Sequence, residues 1–244
     1  AIYMEPEPDA TATPVVNIEG GVIENNHSNY GGAVCSVGGT FKMSGGTISG
    51  NTAEKSGGAL YLKNTLVDIS GGTIAGNSAK TEGGGIYINN SAAGSVIADI
   101  TVSGNTAGAF GGGIALFYAD GIMVRNCDID ENNGPYGGGI ANYGSDNVKL
   151  DSNTITENEA TDGGGIYIQD GAGNVVTGGT ISGNTATNGG GFELFESSAA
   201  SDALLTGGVV ISGNTASSYG GGVCFNNFRL KASGAVTVQD NTLS

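Results

Sequence analysis

Carboxylates are the side chains of this chain best suited to chemistry, and they crowd into its middle. Asp128, Asp130 and Glu131 surround Ile129, and Glu157 and Glu159 follow about 26 residues further on. Hard oxygen ligands in such numbers suit Ca²⁺. Two carboxyls, one of them kept protonated by its surroundings, can also cleave a glycosidic bond. The candidate metal ligands are therefore Asp128, Asp130, Glu131 and Glu157, with weak Ca²⁺ binding expected at most and no other cofactor implied. A solvated acidic surface accounts for the same residues. Arg125 and Asp151 align one period apart, so an ion pair between them is expected. The single histidine, His27, lies near the N-terminal end, which argues against a catalytic triad or a zinc centre.

Aromatic side chains form the second candidate. Aligning the chain on its internal repeat puts Cys35, Tyr61, Tyr87, Ala115, Ala141, Tyr167, Glu193 and Cys224 at one outward position. Two residues on come Val37, Lys63, Asn89, Phe117, Tyr143, Gln169, Phe195 and Asn226. Tyr61, Tyr87, Phe117, Tyr143, Tyr167 and Phe195 thus share one face, with a shallow notch expected at Ala115 and Ala141. Such a strip can stack on sugar rings or fill a protein groove. Aromatics also favour strands for packing reasons alone.

These positions follow from a repeat. Ile-x-x-Asn, with Val at times in place of Ile, recurs with its Asn at 26, 51, 77, 105, 132, 158, 184, 214 and 241. Five or six residues after each of the first eight comes a glycine pair or triplet and then an apolar residue: Val34, Leu60, Ile86, Ile114, Ile140, Ile166, Phe192 and Val223. Within each period the pattern alternates in steps of two, as in Gly165-Ile166-Tyr167-Ile168, which is strand periodicity. No period holds a run of helix formers. Two or three short parallel strands per period predict an all-β fold, a right-handed parallel β-helix of about nine coils. Ile23, Ile48, Ile74, Val102, Ile129, Ile155, Ile181, Ile211 and Val238 should stack as one interior column. The Asn column should mark a turn, where left-handed backbone angles suit Asn and its amides can bond along the array.

Composition limits the partners. Lys and Arg total 8 against 23 Asp and Glu, a net charge of −15 that repels nucleic acid and anionic membranes. No apolar run approaches the roughly 20 residues of a membrane helix, so direct insertion by this segment is not expected. Cys35 and Cys224 fall in coils roughly 30 Å apart and Cys127 at another corner, too distant for disulfides. Ala1 to Thr13 lacks the charged start and apolar stretch of a signal peptide. Residues 1–14 read as an acidic, proline-bearing leader or linker, and residues 15–244 as the repeat domain. The last period stops soon after Asn241 without a cap, so the chain is expected to be part of a longer protein or to have its end covered.

The paired Ile-x-x-Asn and Gly-Gly-[Ala/Gly]-[Ile/Leu/Val] signals resemble the repeats of chlamydial polymorphic outer-membrane proteins and of other bacterial and archaeal adhesin-like surface proteins. The resemblance covers roughly residues 15–244 and is plain in Asn77-Ser78-Ala79 followed by Gly83-Gly84-Gly85-Ile86. Ile or Val stands where that family's element has Phe. The broader architecture looks like the pectin-lyase-like superfamily, which holds both glycan-cleaving enzymes and non-catalytic adhesins. The resemblance implies an extracellular or cell-surface bacterial module without catalytic residues, a rigid stalk whose outer face binds glycan or protein. The alternative is a polysaccharide lyase or glycoside hydrolase using the acidic middle coils, with Arg125 as the basic group beside bound Ca²⁺. Against it, no long loops are available to build a deep cleft, the largest insertion being Glu196 to Asp202.

Overall fold

The computed structural model describes residues 1–7, 13–196 and 201–244. Among the described residues the chain winds through 34 short strands and no helix. Three nine-stranded sheets, all parallel, run the length of the solenoid. Sheet 1 follows the glycine corner and includes Ile86–Asn89, Ile140–Tyr143 and Ile166–Gln169. Sheet 2 includes Lys149–Asp151, and sheet 3 includes Asp128–Asp130 and Thr154–Thr156. Two shorter ladders follow the Asn turn, linked through single pairings of Thr106 with Asn133, Asn133 with Glu159 and Glu159 with Thr185.

The expected interior column is realised residue for residue. Ile23 pairs with Ile48, Ile48 with Ile74, and so on through Val102, Ile129, Ile155, Ile181 and Ile211 to Val238. From Ile48 to Ile211 these side chains are buried and belong to one continuous apolar core. The end members Ile23 and Val238 have a neighbour on one side only and are partly or largely exposed.

The Asn column is a hydrogen-bonded ladder. Each Asn donates both its backbone N–H and its Nδ2 to the Oδ1 of the Asn in the next coil, in eight successive steps from Asn26 to Asn241. From Asn51 onward Nδ2 also donates to a carbonyl of the coil before, as from Asn132 to Val102 O at 2.9 Å. Every polar atom of a buried amide thus has a partner, which its burial demands. The left-handed backbone sits one residue earlier than expected, at Asn25, Gly50, Gly76, Gly104, Glu131, Glu157, Gly183, Gly213 and Asp240. The ladder Asn is chosen for its side-chain amide; the preceding residue makes the turn.

The glycine corner has two distinct requirements. Gly137 holds φ +71°, and a Cβ there would lie 2.3 Å from the Ile140 carbonyl oxygen. A Cβ on Gly138 would lie 2.5 Å from the Glu159 oxygen in the next coil. The first glycine makes the turn and the second lets the coils approach.

The segment read as a leader contributes to the fold. Ile2–Met4 forms the first strand of sheet 1, pairing with Val34, Cys35 and Ser36, and Met4 is buried. Alternation explains this: Ile2 and Met4 flank Tyr3 with strand periodicity, a signal masked by the acidic, proline-rich stretch after it. Residues 8–12 of that segment lie outside the described residues, as do residues 197–200 of the longest insertion.

Candidate functional site

Three outward columns border one face of the solenoid, two on the strands of sheet 1 and a third on the segment just before the glycine corner, and alignment of the repeat found the first two. The first runs Tyr61, Tyr87, Ala115, Ala141, Tyr167, Glu193 and Cys224, with adjacent members in register. The second runs Lys63, Asn89, Phe117, Tyr143, Gln169, Phe195 and Asn226. The third, from the residue before the glycine corner, carries Phe110, Tyr136, Asp162, Asn188 and Tyr219. Its signal was the position just ahead of each glycine pair.

That third column changes the aromatic strip. No notch exists at Ala115 and Ala141, both fully buried. Phe110 packs edge-on against Phe117 at 5.5 Å and against Tyr143 at 5.7 Å, and stacks on Tyr136 at 4.7 Å. The small alanines are there to admit these rings. A second run continues towards the N-terminal end, Tyr30 to Tyr61 at 4.8 Å, Tyr61 to Tyr87 at 5.2 Å and Tyr87 to Phe117 at 5.4 Å. Tyr87 and Tyr167 point outward from the sheet yet are buried beneath neighbouring rings. Burial pushes the Tyr87 phenol up to about 12, with Asn89 Nδ2 donating to its oxygen at 3.2 Å. Tyr61, Phe117, Tyr143 and Phe195 are half-buried, so the strip is partly a packed layer and partly a surface.

Where the rings thin out, towards the C-terminal coils, the three columns enclose an open groove of about 690 Å³. Tyr167, Glu193 and Cys224 form its floor. Asp162, Asn188 and Tyr219 stand on one wall beyond Phe110 and Tyr136, and Gln169, Phe195 and Asn226 on the other. Glu193 is 7% exposed, and its Oε2 is buried with no hydrogen-bond partner. Burial, and then the charge of the adjacent Asp162 carboxylate, push Glu193 up to about 7. A protonated Glu193 can donate a hydrogen bond to the neighbouring Asp162 carboxyl, which adds to the rise. Asp162 Oδ1 also accepts from Asn188 Nδ2 at 2.7 Å. Sequence reasoning missed both acids. Glu193 was visible as the one charged residue in a column of Tyr, Ala and Cys.

The acidic residues predicted from sequence lie elsewhere. Asp128 and Asp130 project outward from sheet 3 on either side of the buried Ile129. Glu131 and Glu157 take left-handed turn positions, φ +54° each, where most other coils have glycine. They do crowd one another: partial burial, then Glu131, Asp128 and Glu157, raise the Asp130 carboxyl above its ordinary value. Among the described residues no group of three or more His, Cys, Asp or Glu is placed to hold a metal ion. Arg125 lies in register with Asp151 as expected, but its guanidinium turns to Asp99 at 3.8 Å, in the coil before. Asp151 instead accepts from Ser152 Oγ at 2.8 Å. Cys35, Cys127 and Cys224 are all free thiols, and Cys127 is buried, which raises its pKa to about 11.

Comparison with curated proteins and with solved structures gives no significant match. The family model described as the right handed beta helix region matches residues 40–206. That span covers more than half of the chain and most of its nine coils, and with the parallel sheets it shows that the protein belongs to the right-handed β-helix family.

Proposed function

We propose that this chain is a non-catalytic module of a secreted or cell-surface bacterial protein, a rigid β-helix that binds a glycan along the outer face of sheet 1. The observation that carries the reading is the groove itself. Ring faces at Tyr136, Tyr219 and Phe195 stand beside the amides of Gln169, Asn188 and Asn226. Apolar faces bordered by neutral hydrogen-bonding groups suit the two sides of a pyranose ring. The likeness of the repeats to chlamydial polymorphic outer-membrane proteins and other adhesin-like proteins supports placement at a surface.

The lyase or hydrolase alternative has less support. The carboxylates of the middle coils lie on sheet 3 and its turns, apart from the rings of sheet 1, and Arg125 is engaged by Asp99. Asp162 and Glu193 lie within hydrogen-bonding reach of each other. Glycosidases separate their carboxyls by about 5–9.5 Å to admit the sugar and the water. Screening the protein on a glycan array, followed by calorimetry with the best oligosaccharide, tests the proposal. Binding that Tyr136→Ala with Phe195→Ala abolishes, without new reducing ends, is expected. Retained affinity in that double variant would sink the groove assignment, and released product would favour the enzyme reading.

A further inference from the structure

The floor of the groove carries an unmet hydrogen-bonding demand. Glu193 Oε2 is buried without a partner in a side chain more than nine-tenths buried, and Asn188 Oδ1 is likewise unpartnered. Both line the groove, and both are acceptors when the Asn188 amide points its Nδ2 at Asp162. A buried acceptor left unpaired costs about 1–3 kcal/mol, so a ligand that donates to these atoms gains what the free protein lacks.

Charge narrows the donor. Among the described residues no Lys, Arg or His lines the groove, while two carboxyls, Asp162 and Glu193, do. A uronate or sulfate would meet uncompensated repulsion there. A hydroxyl would satisfy one acceptor, whereas an ammonium has three donors and a charge that the pair neutralises. Two carboxyls fall short of the ligand number that Ca²⁺ requires, and among the described residues no group of three or more His, Cys, Asp or Glu is placed to hold a metal ion.

We propose that Asp162, Asn188 and Glu193 form a subsite for the free amine of a 2-amino sugar, so that the groove selects a deacetylated amino-sugar chain over its N-acetylated or uronic-acid counterparts. This rests on the glycan-binding reading. It follows from the juxtaposition of a partnerless buried carboxylate oxygen with aromatic faces of the size of a sugar ring. The protein's net charge of −15 adds a long-range attraction for such a polycation.

The test is calorimetry at pH 7 and 0.15 M salt with three tetrasaccharides: glucosamine, N-acetylglucosamine and galacturonate. The glucosamine oligomer should bind at least ten-fold more tightly than the N-acetylated one, and galacturonate not at all. Glu193→Gln and Asp162→Asn should each erase that preference. Glu131→Gln with Glu157→Gln, which removes as much charge elsewhere, should leave the preference intact. If that control loses it equally, the attraction is diffuse and the subsite is refuted. Equal affinity for the two amino-sugar oligomers overturns the amine subsite but leaves glycan binding standing. Binding of none of the three, with the array also blank, is the failure of the glycan reading itself. A lysine-rich peptide that binds tightly through Glu193 would overturn the sugar as the occupant. Thermal melts of each variant establish that it is folded.

Discussion

Asn132 and Asn158, in successive coils, are joined by two hydrogen bonds onto one atom: the Asn132 backbone N–H reaches Asn158 Oδ1 at 2.9 Å and its Nδ2 reaches it at 3.0 Å. The Oδ1 of Asn132 is held in the same way by Asn105. Each rung therefore completes the one before it.

Removing one rung should be costly. Asn132→Ala leaves the buried Asn105 backbone N–H and Nδ2, together with the Val102 carbonyl, short of partners. A loss of about 3–5 kcal/mol is expected from several orphaned groups. Asn132→Asp should be worse at neutral pH, because a carboxylate oxygen replaces the donor facing Val102 O and Asn158 Oδ1. Chemical denaturation measures both, and a variant within 1 kcal/mol of wild type would contradict the ladder's role.

The two acidic turns should respond in the opposite sense. Glu131 and Glu157 hold left-handed angles that cost a non-glycine residue roughly 1–2 kcal/mol. Their carboxylates also crowd Asp130. Glu131→Gly and Glu157→Gly, as found in the repeat at Gly104 and Gly183, should each stabilise the protein by about 1 kcal/mol. A lower melting temperature in either variant would mean that these glutamates contribute contacts beyond the turn.

Position along the aromatic strip should separate stability from binding. Tyr87 is buried under Tyr61 and Phe117. Tyr87→Ala should cost about 2–4 kcal/mol, as for other truncations of buried large side chains. Phe195→Ala, at the half-buried wall of the groove, should cost about 1 kcal/mol or less while removing ligand affinity. Comparable melting shifts for the two variants would show that the strip is packing throughout.

The Glu193 carboxyl makes a signed prediction about pH. Its folded value, about 7, lies above the ordinary 4.5, because burial and then Asp162 disfavour its charged form. The folded state therefore holds this proton more tightly than the unfolded chain does. The resulting stabilisation is complete below about pH 4.5 and is lost as pH rises through about 7. From this residue alone, stability should rise by up to about 3 kcal/mol between pH 8 and pH 5. Glu193→Gln should flatten that rise and be the more stable protein at pH 8. Urea titrations of both proteins at the two pH values decide it, and an unchanged slope in the variant would show that Glu193 titrates normally.

The fold was legible because each coil repeats the same instructions. Nine Ile-x-x-Asn elements and eight glycine corners specify both register and facing, and the pairing of Ile129 with Ile155 follows from counting alone. The groove was harder to see because it is made where the repeat is broken. Glu193 departs from its column, and Asp162 and Asn188 stand at the edge of a turn, each just ahead of a left-handed glycine that sets its outward direction. Alternation within strands cannot report on such a turn. Nor can it report that Phe110 leans across Ala115 and Ala141, since that depends on the space two small residues leave. The choice of Asp99 over Asp151 by Arg125 is equally a matter of side-chain reach, because both acids are one coil away.

The unbroken ladder makes the number of coils an adjustable quantity. Asn132 and Asn158 are 26 residues apart and present the same donors and acceptors to their neighbours. Excising residues 133–158 would set Asn132 against Asn184 with every column still facing its own kind. Duplicating them would lengthen the rod by one pitch. A gene for such a protein can gain or lose whole turns by recombination without leaving an unpaired seam, so the reach of the rod and the length of its outer face can change while each remaining turn keeps its structure.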